Sequence, residues 1–265
     1  VAHLIDVLHR HLPSDFEKSA ALLLKLPAVW DHGDPEDPLR SFAAWPVTDY
    51  VATYGLAHPE IALDTLKVLT GLFSAEFAIR PFLQQYPEYC QSLLTSWAEH
   101  EDEHVRRLVS EGTRPRLPWG MQLKAFVKDP APNLPLLNRL KDDDSLYVRR
   151  SVANHLNDIA KDHPDLVADI AEKWMLGASN ARLKLIRHAC RTLIKQGHSK
   201  TLRVLGYKPP EIAQINLELL NPVVEFGGAL AFSLSLSSDS EEDQALMIDY
   251  VIHHKKANGK TTPKV

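Results

Sequence analysis

One stretch of sequence recurs three times in the middle of the chain, and this repeat limits the possible folds more than any other feature. The copies begin VRRLVSEG at Val105, VRRSVANHLND at Val148 and IRHACRTLIKQG at Ile186, so successive copies are offset by 43 and 38 residues. Each copy has the spacing of an amphipathic helix, with an arginine directly after the first aliphatic residue. A period of about 40 residues is typical of stacked helix pairs, because one pair alone cannot bury its apolar face.

The repeat predicts a mostly α-helical protein, with a HEAT-like helical-repeat solenoid over residues 1–208. After Pro209-Pro210, apolar and polar residues alternate over 215–219, 230–236 and 246–253, and Asn258-Gly259 predicts a hairpin before a last strand at 261–265. So few strands cannot close a β-sandwich, which needs about seven. Residues 209–265 are therefore expected to be an incomplete β-sandwich, which either lacks its remaining strands or pairs with another partner. The chain opens on Val1 inside an amphipathic pattern, so we also expect residues before Val1 to be missing.

The second copy of the repeat lies in a predicted helix over residues 144–163 that has two different faces. The first face is an apolar stripe made of Val148, Val152, Leu156 and Ile159. The second face is a polar row made of Tyr147, Arg150, Asn154 and Asp158. An aromatic ring, a guanidinium, an amide and a carboxylate in one row indicate a binding surface. The alternative is that Asp158 only forms an intramolecular ion pair with an arginine.

The basic residues are concentrated in one part of the chain although the net charge is −4. Residues 104–208 hold 20 Lys and Arg against 10 Asp and Glu, while the remainder holds 10 against 24. Because corresponding helices of a solenoid stack side by side, the arginines are expected to form one basic stripe on a concave surface that suits a phosphate backbone. The stripe would contain Arg106, Arg107, Arg149, Arg150, Arg187 and Arg191. The competing interpretation is a solvated helical face.

A turn rich in proline separates the first two copies of the repeat. In TRPRLPWGMQLKAF, two prolines break the helix, and Trp119 follows beside the basic residues Arg114 and Arg116. An aromatic residue on such a stiff turn could project into the basic surface. The alternative is that Trp119 fills the core between two repeats.

Other motifs exclude several classes of protein. HEDEH, from His100 to His104, matches the pattern of zinc proteases, but it aligns with the acidic connector before the second copy, so it is predicted to cap a helix. No phosphate-binding glycine loop, nucleophile elbow or stretch of 18 apolar residues occurs. Cys90 and Cys190 are isolated, so they are expected to be core residues of a cytoplasmic protein.

At this point the residues resemble a known family. HEDEHVRRLVSEGTRPRLPWG and DDDSLYVRRSVANHLNDIAKDHPDL resemble the AlkC branch of the HEAT-like-repeat DNA glycosylases, from about residue 1 to the end of the chain. The tail IDYVIHHKKANGKTTPKV resembles the opening of the immunoglobulin-like domain of that family. The resemblance implies removal of alkylated bases, such as N3-methyladenine and N3-methylcytosine, from duplex DNA without a metal or cofactor.

The resemblance also implies roles for single residues. Asp158 matches the carboxylate that faces the deoxyribose and positions the water, and Trp119 matches the aromatic residue that packs on the sugar. Glu76, in FSAEFAIRPF, is similar to a second carboxylate. The arginines of the stripe, together with Arg114, Arg116 and Asn154, are expected to bind DNA.

Two functions are therefore compared. The first is a monomeric, monofunctional DNA glycosylase of the bacterial cytosol, whose carboxylates stabilise an oxocarbenium-like transition state. The alternative is a HEAT-repeat scaffold that binds DNA or a protein without chemistry.

Overall fold

The computed structural model describes residues 1–264, which form two compact units. The first unit is Val1–Leu193 and the second begins at Ile194. The first unit contains α1 (Ala2–His11), α2 (Phe16–Leu23), α3 (Leu26–Val29), α4 (Trp45–Tyr54), α5 (Pro59–Leu69), α6 (Arg80–Gln85), α7 (Pro87–Trp97), α8 (Glu103–Gly112), α9 (Lys124–Lys128), α10 (Leu134–Leu140), α11 (Leu146–Ile159), α12 (Pro164–Met175) and α13 (Asn180–Ala189). Helix α14 (Arg191–Lys195) crosses the boundary between the units. The predicted helical-repeat architecture is confirmed.

The three copies of the repeat are the neighbouring helices α8, α11 and α13, which pack side by side. Their aligned residues Val105, Val148 and Ile186 are all buried. The apolar stripe predicted on α11 is also buried, so it forms the core of the array. These helices stack because each hides its apolar stripe only against the next one.

A side chain caps the first turn of each of these three helices. Asp102 accepts a hydrogen bond from the backbone N–H of His104, Ser145 from that of Tyr147, and Ser179 from that of Arg182. Helix α8 begins at Glu103, so His100 lies outside it and the two histidines of HEDEH do not share a continuous helix. The prediction that this segment is a helix cap is confirmed.

The second unit contains α15 (Ser199–Val204) and four strands: β1 (Ile212–Leu219), β2 (Phe232–Ser238), β3 (Ile252–Lys255) and β4 (Thr261–Lys264). Strands β1 and β2 form an antiparallel pair, and β3 and β4 form another. The third strand was predicted at residues 246–253, but it begins only at Ile252. The hairpin at Asn258-Gly259 is confirmed, with Gly259 at a φ of 78°. The last predicted strand matches β4, apart from Val265, which lies outside the described residues.

Two further sequence-based expectations concern the boundary and the cysteines. The boundary predicted after residue 208 falls inside the second unit, because α15 groups with the strands. Cys90 and Cys190 are buried as predicted, and burial raises the pKa of each thiol to about 11. Thiols in such surroundings are poor nucleophiles. Within the part of the chain that is described, no helix combines the length and apolarity needed to cross a membrane.

Candidate active site

A pocket of about 430 Å³ in the first unit is lined by Glu76, Arg107, Arg114, Trp119 and Tyr147, five of the residues singled out above. Part of its lining is aromatic: Phe42, Trp45, Phe73 and Phe77. The indole of Trp45 stacks on Phe77 at 5.2 Å and on Phe73 at 5.5 Å between ring centroids. The lining also includes Trp119, Tyr147 and the charged side chains of Glu76, Arg107, Glu111 and Arg114. The pocket therefore joins a rigid apolar surface to a cluster of fixed charges.

The charged side chains form a continuous row of alternating sign, which we call the charge row. It runs in the order Glu76, Arg107, Glu111, Arg114, Asp158 and Lys161. Successive nitrogen–oxygen distances along it are 2.9, 3.6, 2.6, 2.8 and 3.0 Å. Burial opposes the charge of Arg107, but the carboxylates of Glu111 and Glu76 outweigh that effect and raise its pKa. The pairing therefore keeps these charged groups stable although all of them except Lys161 are largely buried.

Glu76 lies at one end of the charge row, in the turn between α5 and α6. Its Oε2 accepts a hydrogen bond from the Ser74 hydroxyl at 2.6 Å and from Arg107 Nη1 at 2.9 Å. The guanidinium of Arg107 lies 4.4 Å from the ring centroid of Tyr147, a cation–π contact. These contacts hold the Glu76 carboxylate in one orientation at the pocket wall.

Asp158 is the last carboxylate of the charge row, next to Lys161 at its end, and is almost completely buried, with 2% of its side chain exposed. Its Oδ2 accepts from Arg114 Nε at 2.8 Å, and its Oδ1 accepts from Lys161 Nζ at 3.0 Å. The prediction that Asp158 belongs to a polar surface row on α11 is therefore wrong, because its side chain is buried. Asp158 does form an intramolecular pair with an arginine, but Arg114 comes from the segment after α8 and places the carboxylate behind the pocket wall.

Trp119 lies at the pocket with 87% of its surface exposed, so the alternative that it fills the core is wrong. Its backbone has a φ of 61°, the left-handed region that residues with a Cβ rarely adopt. Gly120 follows, and a Cβ there would lie 3.0 Å from the Leu117 side chain. An exposed indole on a strained turn costs stability, which favours a role in binding over a role in folding.

Glu111 and Arg80 are among the residues in and around the site that were not singled out from the sequence. Glu111 pairs with both Arg107 and Arg114, and its second oxygen accepts from the Ser151 hydroxyl. The spacing of four residues between Arg107 and Glu111 in one helix is the signal that could have identified this carboxylate. Arg80 is fully buried and has no comparable signal, because its partners lie 32 to 41 residues away.

Most of the arginines predicted to bind DNA, both in the basic stripe and beside it at Arg114 and Arg116, already have intramolecular partners. Arg106 binds both oxygens of Asp143, and Arg116 binds both oxygens of Asp162. Arg107 and Arg114 belong to the charge row. The prediction of one open stripe is therefore wrong, since its members Arg106 and Arg107 are already paired with carboxylates.

The remaining members of the stripe have different surroundings. Arg149, like Arg106, donates to the two carbonyls six and five residues earlier in its own repeat, here those of Asp143 and Asp144. Arg191 donates to the Asn154 amide oxygen at 3.1 Å. Arg150 and Arg187 are exposed, so they are the members most open to a ligand. In residues 1–264 no three His, Cys, Asp or Glu side chains are grouped so that they could hold a metal ion.

Comparisons with known proteins agree with this architecture. The family described as the C-terminal immunoglobulin-like domain of the uncharacterised protein YhaZ matches residues 214–265. The uncharacterised protein YhaZ of Bacillus subtilis strain 168 is 44% identical over 218 residues, which cover 82% of this chain and 60% of YhaZ. The present chain thus spans only 60% of the length of that relative.

A solved structure is also similar: the Pseudomonas fluorescens alkylpurine DNA glycosylase AlkC bound to DNA containing an abasic site analog. It has a TM-score of 0.89 and 37% identity, and the match covers 99% of this chain and 71% of that one. Fold and site thus define a helical-repeat protein with a charged pocket and a C-terminal immunoglobulin-like segment. The chain belongs to the AlkC family. The predicted resemblance and the predicted immunoglobulin-like segment are confirmed.

Proposed function

We propose that this protein is a monofunctional DNA glycosylase that excises alkylated bases of the N3-methyladenine and N3-methylcytosine type from duplex DNA. The observation that carries the proposal is the charge row, which fixes carboxylates in and behind a partly closed pocket of a chain similar to AlkC. Fixed carboxylates in such surroundings stabilise positive charge much more strongly than they would in water. The proposal includes duplex DNA as the partner, no cofactor, a monomeric state and a location in the bacterial cytosol.

The reaction needs little from the enzyme at the leaving base, because an alkylated base already carries a positive charge. As the bond between C1′ and the base nitrogen breaks, its electron pair leaves with the base, which becomes neutral. Positive charge then develops on C1′ and the ring oxygen of the deoxyribose. Water attacks C1′ and loses a proton, which leaves an abasic sugar. The protein has to stabilise the sugar cation and hold this water.

In the proposed mechanism, Glu76 and Asp158 supply the negative charge and Asp158 positions the water. A carboxylate can accept about four hydrogen bonds, and Asp158 uses one on each oxygen for Arg114 and Lys161, so acceptor positions remain. The Arg114 side chain lies between Asp158 and the pocket. In this proposal the Arg114 side chain therefore shifts when DNA enters. Trp119 packs on the deoxyribose, where an aromatic face adds cation–π stabilisation. Of the predicted arginines, Arg150 and Arg187 bind phosphates in this proposal.

A base-release assay tests the function. Duplex DNA treated with a methylating agent is incubated with the protein, with and without a chelator, and released bases are separated by chromatography. We expect release of N3-methylated bases at the same rate in both samples. Binding of the duplex without any base release would instead support the non-catalytic scaffold, and sensitivity to the chelator would contradict chemistry without a metal.

Substitution of Trp119 by Gly separates folding from function. Glycine adopts a positive φ without strain, so we expect Trp119→Gly to raise the free energy of unfolding by about 1 kcal/mol. The same change removes the exposed indole, so base release is expected to fall at least tenfold. Thermal melts and single-turnover excision measure the two effects. Trp119→Phe is the matched control, since it keeps an aromatic ring and the strain. A Trp119→Gly variant with undiminished base release would show that the indole has no catalytic role.

A further inference from the structure

Ser74 lines the pocket and has no role in the mechanism described above. It is half-buried and lies in the turn between α5 and α6, two residues before Glu76. The core holds this turn in place, since Ala75 is fully buried and its backbone N–H donates to the Thr70 hydroxyl at 3.2 Å. The side chains on either side of Ala75, those of Ser74 and Glu76, both line the pocket. A fixed turn therefore presents a hydroxyl and a carboxylate together.

The partners of the Ser74 hydroxyl determine the direction of its hydrogen bonds. Arg107 Nη1 lies 2.7 Å from Ser74 Oγ, and because an arginine side chain can only donate, the hydroxyl oxygen accepts there. The hydroxyl has a single proton, which it donates to Glu76 Oε2 at 2.6 Å. Arg107 Nη1 also donates directly to the same carboxylate oxygen at 2.9 Å. Ser74 thus connects the guanidinium to the carboxylate by a second route.

These two donors leave one carboxylate oxygen of Glu76 free. Both reach Oε2, and no donor within residues 1–264 forms a hydrogen bond with Oε1. The other carboxylates of the charge row have no such oxygen: Glu111 accepts from Arg114 and Ser151 on different oxygens, and Asp158 accepts on both of its oxygens. Glu76 is also the most exposed of the three, with 14% of its side chain accessible against 6% and 2%. It is therefore the carboxylate of the row that is most available to a group in the pocket.

A free oxygen in a fixed position suits the chemistry proposed above. The positive charge that develops on the sugar is stabilised most by an oxygen whose lone pairs are not used by other donors. A fixed group also needs no reorganisation at the moment of reaction. A glutamate side chain has several rotatable bonds, so without its donors it would have to be ordered when the substrate binds. The hydroxyl of Ser74 and the guanidinium of Arg107 supply that order in the free protein.

We propose that Ser74 is a positioning residue for base excision: its hydroxyl holds Glu76 Oε2, so that Oε1 faces the sugar cation. This inference rests on the proposed function, because it takes base excision as the reaction. Ser74 does not touch the reacting atoms and acts through Glu76. Loss of the hydroxyl should therefore slow the chemical step without weakening the binding of DNA. Arg107 loses one acceptor in the same change but keeps its ion pairs with Glu76 and Glu111.

The test measures single-turnover base release from methylated duplex at saturating protein, for the wild type, Ser74→Ala and Ser74→Thr. Ser74→Ala is expected to be about tenfold slower, the rate equivalent of one hydrogen bond to a charged group. Ser74→Thr keeps the hydroxyl and should release base at nearly the wild-type rate. Binding of a fluorescein-labelled undamaged duplex should be equal in all three proteins. Ser96→Ala is the matched control, because this exposed hydroxyl binds a backbone carbonyl of α7 outside the pocket, and its rate should not change.

A second arm repeats Ser74→Ala in a Glu76→Gln background, at a temperature below the melting transition of every variant. If Ser74 acts through the carboxylate, Ser74→Ala should cost little further rate there, because the group that it positions has already been lost. An equal loss in both backgrounds would show that the hydroxyl only supports the turn, and the inference would be wrong. A wild-type rate for Ser74→Ala, or an equal loss in Ser74→Thr, would also overturn it. A wild-type protein that releases no base would contradict the proposed function and the inference with it, whereas base release that is insensitive to Ser74→Ala would contradict the inference alone.

Discussion

Replacement of Asp158 by Asn is expected to slow base release by about a hundredfold or more, the typical cost of removing one preorganised electrostatic group from an active site. The substitution keeps the shape of the side chain but removes its negative charge. It leaves Lys161 without its carboxylate partner and Arg114 with Glu111 alone, so the pocket becomes more positive just where the sugar cation develops. Both changes raise the barrier to cleavage of the N-glycosidic bond. Single-turnover release from methylated duplex measures the effect.

The matched control for this substitution is Asp162→Asn. Asp162 also pairs with an arginine, Arg116, but that pair is exposed and lies outside the pocket. Exposed pairs contribute only about 0–1 kcal/mol, so this variant should release base at nearly the wild-type rate. Asp158→Asn is expected to melt at a lower temperature, because one member of a buried ion pair is lost. Base-release rates of the two variants are therefore compared at a temperature below the melting transition of each. A wild-type rate for Asp158→Asn would disprove the catalytic assignment of Asp158.

The sequence was sufficient to predict the elements that depend on local interactions. The helix around Asp158, the stacking of Val105, Val148 and Ile186, and the cap at Asp102 all depend on spacings of a few residues. Such spacings are visible in one chain because the helix period is fixed. The third strand was placed too early, since alternation alone does not show where backbone pairing begins.

The arrangement of charges could not be predicted in the same way. Arg114 meets Asp158 across 44 residues, and Arg116 meets Asp162 across 46. These pairs depend on the path of the proline-rich turn, which no helical period describes. Counting arginines per repeat therefore predicted a continuous stripe, whereas intramolecular contacts occupy four of its six members. Arg106 and Arg107 pair with carboxylates, and Arg149 and Arg191 donate to carbonyl and amide oxygens. Asp158 was predicted to lie in a surface row for the same reason. Its contact with Arg114 instead places it in a buried position.

Substitution of Arg80 is expected to have a large effect on stability, because Arg80 holds the turn that carries Trp119. Its guanidinium donates to the backbone carbonyls of Gly112, Arg114 and Met121 at 2.9, 2.9 and 2.7 Å. Burial and the nearby Arg114 lower its pKa to about 10, so it remains charged at neutral pH. Arg80→Met keeps an unbranched apolar stem but leaves three carbonyls without this donor. The expected loss is about 3–5 kcal/mol in the free energy of unfolding, since each buried unpaired group costs about 1–3 kcal/mol.

This substitution should also affect activity before the protein unfolds. The three carbonyls lie on both sides of Trp119, so their loss releases the turn that holds the indole and Arg114 at the pocket. Base release by Arg80→Met at a temperature well below its melting transition is therefore expected to fall, although Arg80 donates only to backbone carbonyls. Arg139→Met is the control, because that arginine forms only an exposed pair with Glu99 and should lose less than about 1 kcal/mol. Urea denaturation gives the two stabilities, and equal values for both variants would show that Arg80 does not fix the turn.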